Sequence, residues 1–284
     1  MNFQKLRLSP GLYFVATPIG TARDITLRAL DVLASADVIA AEDTRSLRHL
    51  MDIHGVPLEG RRIVAYHDHS GAGARARLLE ALSTEKSVAY ASEAGMPLIA
   101  DPGYDLSRAA AEAGHNVTVA PGPSAVLAAL TLAGLPTDAF FFAGFLPNAT
   151  KARRTRLEEL RDVPGTLAFY ESPKRVADSL SDMAAVLGDR QAALCRELTK
   201  KFEEVRRGTL SELAAALKAQ GVKGEIVVLV DRARQAAASE EDVENALLTA
   251  LEAHSVKDAA ELVARMYSLP RRPLYQKALK LGKT

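Results

Sequence analysis

Short apolar runs rich in Val, Ile, Phe and Tyr recur along the chain up to Asp231. They fall at Tyr13–Thr17, Val38–Ala41, Ile63–Tyr66, Val88–Ser92, Val117–Ala120, Phe140–Phe145, Thr166–Tyr170, Ala192–Arg196 and Ile226–Asp231. Most lack alternation with polar residues, so they predict strands buried on both faces. Between many of them lie patterns of helical period, at Thr26–Ala36, Ala74–Leu82, Ser107–Ala113, Ser124–Ala133, Ala152–Leu160, Val176–Leu187 and Leu210–Ala219. The alternation predicts an α/β architecture with largely parallel pairing.

Two breaks divide the pattern. Pro147 and Asn148 punctuate LPNATK ahead of a basic helix, which places a boundary between an N-terminal α/β domain at 1–147 and a second at 148–233. After Asp231 the chain turns small and polar (RARQAAASEED), as a linker does. From 239 to 284 three helical patterns follow, at Glu240–Ala253, Val256–Met266 and Pro270–Leu281, the size of a helix-turn-helix module. Pro273 sits close behind Pro270, so the last helix is expected to start at one of the two.

Charge is uneven in this tail. Residues 239–256 hold five acids and no Lys or Arg, whereas from Lys257 onward there are seven Lys/Arg and two acids. The basic side reads either as a solvated surface or as a contact for RNA phosphates through Arg271, Arg272 and Lys277. The whole chain of 284 residues carries a net charge of only +1, so any nucleic-acid binding must rest on local patches. The single cysteine, Cys195, rules out an internal disulfide and a Cys-based zinc site, and its apolar strand marks it as core. The opening segment is too broken by Pro and Gly to read as a signal peptide or a membrane span, and no run elsewhere has about 18 apolar residues. A cytoplasmic protein with no membrane association is expected.

Three strand ends are unusually rich in Gly and Pro: ATPIGTARD at 16–24, ASEAGMPLIADPG at 91–103 and APGPSA at 120–125. Ligands of α/β sheets collect at strand ends, and glycine lets main chain approach a ligand closely. Three such turns predict a ligand gripped mostly by backbone. Ser124, at a helix start, either caps that helix or holds a carboxylate. There is no GxGxxG after the first strand and no GxxxxGKS/T, so neither a dinucleotide fingerprint nor a P-loop is supported.

These stretches, with DVIAAEDTR, YHDHS, GLPTDAFFFAGFLP, FYESPKR, RELTKKFEEVRRGTL, KGEIVVLV and the tail SVKDAAELVARMYSLPRRPLYQKALKL, carry a resemblance over essentially the whole chain. The sequence resembles the ribosomal RNA small subunit methyltransferase I family of the tetrapyrrole methylase fold group. The resemblance implies two α/β domains with a cofactor cleft between them, S-adenosyl-L-methionine as methyl donor, and a homodimer. It further implies methylation of a cytidine ribose 2′-hydroxyl in the decoding centre of small-subunit (16S) ribosomal RNA, with free RNA or the assembled subunit as partner. Cofactor contacts implied in this way are Pro18, Gly95, Met96, Pro97, Ile99, Pro121, Ser124, Ala125, Tyr170, Leu198, Gly224, Glu225 and Ile226. The chain departs from the family pattern at Thr21, where Asn is usual, and at Glu93, Met96 and Leu98, where the pattern has Asp, Thr and Gly.

Alkylating a ribose hydroxyl demands alignment and removal of a proton. The motif loops offer Asp43, His67 and Lys200 as bases, and the sequence does not rank them. Asp43 serves equally as a loop ion pair. His67 is of the residue type most often used as a base but suits solvent as well, and Lys200 serves as a base only if burial lowers its pKa. His67 and His69 share a strand face, yet no third ligand accompanies them, so no metal is expected. Arg45, Arg153, Arg154, Lys174 and Arg175 are the remaining candidate RNA contacts. Two other readings stay open: a methyltransferase of this fold acting on a tetrapyrrole or other small molecule, and a nucleic-acid-binding protein without catalysis.

Overall fold

The computed structural model describes residues 2–67, 72–101, 103–233, 240–267 and 269–282. The chain forms two compact units, residues 1–232 and 233–284; most of the linker expected after Asp231 lies outside the described residues.

The first sheet contains β1 (Gly11–Val15), β2 (Val38–Ala41), β3 (Ile63–Ala65), β4 (Ser87–Ala91) and β5 (Val117–Ala120). Their order is β3-β2-β4-β1-β5 and every pairing is parallel. Helices α1 (Leu27–Ser35), α2 (Thr44–Ile53), α3 (Ala72–Ser83) and α4 (Tyr104–Glu112) follow successive strands. Leu30, Leu33 and Met51 pack with Val15, Ala89 and Ala91 on one face, and Leu78 and Leu106 pack with Leu12, Val88 and Tyr90 on the other. Both faces are covered, which is why these strands read as unbroken apolar runs.

The second sheet contains β6 (Phe140–Phe145), β7 (Thr166–Glu171), β8 (Gln191–Arg196), β9 (Glu204–Thr209) and β10 (Ile226–Val230), in the order β6-β7-β10-β8-β9. Only β6 and β7 pair in parallel; the other three pairings are antiparallel. The expectation of largely parallel pairing therefore holds in the first sheet and fails in the second. Helices α6 (Thr150–Leu160), α7 (Val176–Leu187) and α8 (Leu210–Gln220) supply Leu157, Leu180, Met183 and Leu213 to one face of this sheet.

The opposite face is covered from the first half of the chain. Helix α5 (Ala125–Ala133) lays Val126, Ala129 and Leu130 against Ala168, Ala193, Val227 and Leu229, and Ile19 from the loop after β1 joins the same cluster. This corrects the boundary expected at 147. The change of sheet comes before β6, and α5 already belongs to the second layer. Burying one such Leu or Val side chain is worth about 1.5–3 kcal/mol, so the shared cluster binds the two sheets into one unit.

Two elements escape a reading of periodicity. Helix α2 is dense in charge and buries only Leu47 and Met51. Strand β9 (EVRRGT) is an edge strand whose alternate positions carry Glu204 and Arg206, paired to each other, and Glu204 pairs also with Arg196. Edge strands tolerate such charges because one side of the ladder is open.

In the tail, α9 (Glu240–Ala253), α10 (Val256–Tyr267) and α11 (Arg271–Leu281) enclose a small core of Val243, Leu247, Val263, Leu274 and Ala278. Pro270 is the cap of α11, so Pro273 falls inside the first turn, where its missing N–H costs nothing.

Candidate active site

Thr17 and Gly95 form an isolated antiparallel bridge between the loop after β1 and the loop after β4. Thr17 Oγ1 also donates to the carbonyls of Ser92 and Glu93, and Ser92 Oγ donates to the Gly95 carbonyl at 2.6 Å. Gly95 has φ +86°, a left-handed conformation that side chains other than glycine strongly disfavour. Past this knot Leu98 and Ala100 also take positive φ, and on the facing wall Glu197 and Thr199 do the same. Four non-glycine residues in that region cost about 1–3 kcal/mol each, and such strain concentrates at ligand sites.

Between these walls lies a cleft of about 320 Å³, within the range of small-molecule sites. Ile19, Ile99, Ala125, Leu198, Ile226 and Val227 give it apolar surface, and Phe145 and Tyr170 give it aromatic surface. Glu93, Asp101, Glu171 and Glu225 also line it, with no Lys or Arg among the lining residues. Glu171 is satisfied internally by Ser172 N–H, Arg175 and the Ser179 hydroxyl. Burial lifts the Tyr170 phenol above its ordinary pKa, with Asp101 and Glu225 adding to the effect. The Glu93 carboxyl is also raised, first by burial and then by Glu42, Asp43 and Glu225. Glu42 adds a buried Oε2 that accepts no hydrogen bond among the described residues. The cleft is thus apolar, aromatic and anionic, which favours a cation with a flat hydrophobic portion and repels a polyphosphate.

Of the contacts implied by resemblance, Ile99, Ala125, Tyr170, Leu198, Glu225 and Ile226 line this cleft. Gly95 acts one layer back, through its bridge to Thr17. Gly224 has φ +93°, and a Cβ there would lie 2.5 Å from the Glu197 side chain. Its role is to let Glu197 accept from Glu225 N–H at 3.0 Å. Pro18 lines a neighbouring groove instead. Met96, Pro97, Pro121 and Ser124 are not among the cleft-lining residues. Ser124 is the N-cap residue of α5, although its side chain makes no capping hydrogen bond.

The three candidate bases do not converge on the cleft, and two are corrected. Asp43 caps α2, accepting from Arg45 N–H at 2.7 Å and Ser46 N–H at 3.0 Å. Those two amides hold its carboxyl below the ordinary range, which makes it a weak base. Burial opposes the charge on Lys200, but Glu225 at 3.1 Å and Glu197 at 3.2 Å outweigh it and raise the pKa. Lys200 is held as a cation, the reverse of what a base requires. His67 is exposed at the end of β3, and His69 lies outside the described residues. Glu93, visible in the sequence only as a departure from a family motif, is the carboxylate that lines both the cleft and the groove beside it.

Among the candidate RNA contacts, Arg153 is corrected. It is 5% exposed and pairs with the equally buried Asp182 at 2.5 Å, so it holds α6 to α7. Arg154 shares Asp182 from a more exposed position. Arg175 is committed to Glu171, Asn148 and the Leu146 carbonyl. Arg45 and Lys174 are exposed. In the tail, Arg271 and Lys277 pair with Glu261 and Glu244. Arg271 and Arg272 line a shallow depression with Lys257 and Tyr275.

Comparison with known proteins agrees with this geometry. Residues 11–214 match the family model of tetrapyrrole (corrin/porphyrin) methylases, and residues 237–282 match the RsmI C-terminal HTH domain. The chain is 50% identical over 279 residues to a ribosomal RNA small subunit methyltransferase I of Mesorhizobium japonicum, covering 98% of this chain and 94% of that protein. It is 44% identical to the protein of the same name from Escherichia coli, with 94% of each chain covered. A crystal structure of diphthine synthase superposes with a TM-score of 0.60 at 17% identity, covering 78% of this chain and 89% of that one. A uroporphyrin-III C-methyltransferase from Thermus thermophilus, complexed with S-adenosyl homocysteine, superposes with a TM-score of 0.53 at 19% identity, covering 77% and 96%.

Proposed function

The chain belongs to the ribosomal RNA small subunit methyltransferase I family of the tetrapyrrole methylases, S-adenosylmethionine-dependent enzymes, and we propose that it methylates the ribose 2′-hydroxyl of a cytidine in the decoding centre of small-subunit ribosomal RNA. The observation that carries the reading is the charge and shape of the cleft. S-adenosylmethionine has a sulfonium and an ammonium against one carboxylate, so it enters as a net cation with a flat adenine. Glu93 and Asp101 answer the charge, and Ile99, Ala125, Leu198 and Ile226 offer apolar surface to the ring. When bound, this cofactor supplies an activated methyl group. The protein's own part is to hold and orient it by strained main chain and to exclude water with Phe145 and Tyr170.

The tail supports an RNA substrate over a small tetrapyrrole. Its basic depression of Lys257, Arg271 and Arg272 offers cations to phosphates. A homodimer is supported by the apolar surface of β6 and α5, where Phe140, Phe141, Leu127 and Leu132 are all exposed. No helix among the described residues is long and apolar enough to cross a membrane, and the reading places the enzyme with ribosomes in the cytoplasm. The test is methyl transfer from labelled S-adenosylmethionine to small subunits and to free 16S RNA, followed by mass-spectrometric mapping. A single ribose-methylated cytidine is expected; label on a base, or on no RNA at all, would overturn the reading.

A further inference from the structure

Beside the cofactor cleft lies a second groove of about 300 Å³, bounded by the loop after β1, one face of α2, and the end of β4. Its walls include Pro18, Ser46, His49, Leu50 and Ile53, and Glu93 lines both this groove and the cofactor cleft. Resting on the methyltransferase reading above, we propose that this groove seats the target nucleoside and that Glu93, at the junction of the two cavities, accepts the proton of its ribose hydroxyl.

Three observations carry this. Ser46, His49, Leu50 and Ile53 follow helical spacing, so α2 turns one continuous face to the groove. Leu50 and the half-exposed Ile53 offer apolar surface for a base plane, while Ser46 and His49 offer hydrogen-bonding groups for its edge or the sugar. Next, the rim is basic and unspent. Arg23, adjacent to the groove residue Ala22, and Arg45, one row from His49 on α2, are exposed and form no ion pair among the described residues. A nucleoside flipped into the groove carries a phosphate on either side for these guanidiniums to meet. Finally, a methyl group can pass between the two cavities only where they meet, and the carboxylate there is Glu93. Its proton affinity, raised by burial and by Glu42, Asp43 and Glu225, suits that task. In the balanced step the sugar O–C bond forms while the donor's S–C bond breaks and sulfur keeps the electron pair. The hydroxyl proton passes to Glu93 and then to water.

The full-length protein is titrated with a fluorescent oligonucleotide spanning the small-subunit decoding-centre helix, and S-adenosylmethionine binding is followed separately by calorimetry. Replacing both arginines (Arg23→Ala, Arg45→Ala) is expected to weaken RNA binding about tenfold or more and to lower the salt slope by about one per arginine. Cofactor affinity should stay within about twofold of the parent protein, because neither arginine lines that cleft. Filling the groove with Ser46→Trp or His49→Trp should abolish single-turnover methyl transfer, with cofactor binding and thermal melting retained. Glu93→Gln should keep RNA binding while losing roughly 100-fold or more in methyl-transfer rate and the acid limb of the pH–rate profile, and Glu93→Asp should restore part of both. The proposal is overturned if the groove-filled variants methylate normally, if the arginine variants bind RNA normally, or if the tryptophan variants change only the oligomeric state. Failure of the unsubstituted protein to methylate ribosomal RNA would instead sink the functional reading on which this one rests.

Discussion

Thr17 and Gly95 donate to each other's carbonyls, N to O at 3.0 Å in both directions, and so tie the end of β1 to the loop that forms one wall of the cofactor cleft. The pair needs Gly95 in a left-handed conformation, with Ile19 and Pro123 close behind it.

Gly95→Ala should therefore destabilise the protein by about 1–2 kcal/mol, the cost of forcing an L side chain into that region. For a unit of this size that is a fall in melting temperature of roughly 2–8 °C. Calorimetry should also show weaker S-adenosylmethionine binding, whereas an unchanged affinity would mean that the bridge does not shape the cleft.

Arg153→Ala is expected to cost about 3 kcal/mol, because it removes the buried partner of the Asp182 carboxylate and leaves it only the more exposed Arg154. Denaturant melts would read this directly. At a temperature where the variant is folded, its RNA affinity should match that of the parent. A selective loss of RNA binding with normal stability would restore Arg153 as a nucleic-acid contact.

Glu93 has a folded-state pKa above its ordinary value, so between the two values the folded state binds more protons than the unfolded chain. Stability linked to this group is present at acid pH and is lost as pH rises through the unfolded and then the folded pKa. Glu93→Gln should consequently melt higher than the parent at pH 7 and about equally at pH 4, while turning over far more slowly. A variant that melts lower at neutral pH would show that the carboxylate is a structural anchor.

Lys200 is raised, so its ion-pair contribution is complete below the ordinary lysine pKa and disappears only as pH climbs through the higher folded value. No part of a pH–rate profile between pH 6 and 9 should belong to it. Lys200→Arg should retain most activity and Lys200→Met should lose more, the pattern of a positioning cation. A dead arginine variant alongside retained cofactor and RNA binding would reinstate lysine as the base.

A chain ending at Arg232 should fold and bind S-adenosylmethionine like the intact protein, since residues 1–232 form a compact unit containing the whole cleft. RNA affinity and its salt slope should fall. Equal loss of cofactor affinity would assign the tail a folding role.

Patterns that depend on near neighbours along the chain were legible in advance. The apolar runs located nine of the ten strands among the described residues, because a strand covered on both faces must be apolar at successive positions. The tail's three helices and the Gly/Pro strand ends also follow from local spacing and backbone permissiveness. Residues 11–281 further carried the family motifs, and with them the methyltransferase assignment. Other features belong to contacts distant in sequence. The packing of α5 on β8 and β10, the antiparallel turn of the second sheet, and the burial of Arg153 against Asp182 have no local signature. The site's charges show the same limit. Lys200 and Glu93 were a cation and an acid in motifs, and only the fold sets the direction of each pKa, Glu93 raised by burial and then by Glu42, Asp43 and Glu225, and Lys200 raised by Glu225 and Glu197 against its burial. Periodicity records which way a side chain faces, whereas its pKa and its partners depend on which remote elements the fold sets beside it.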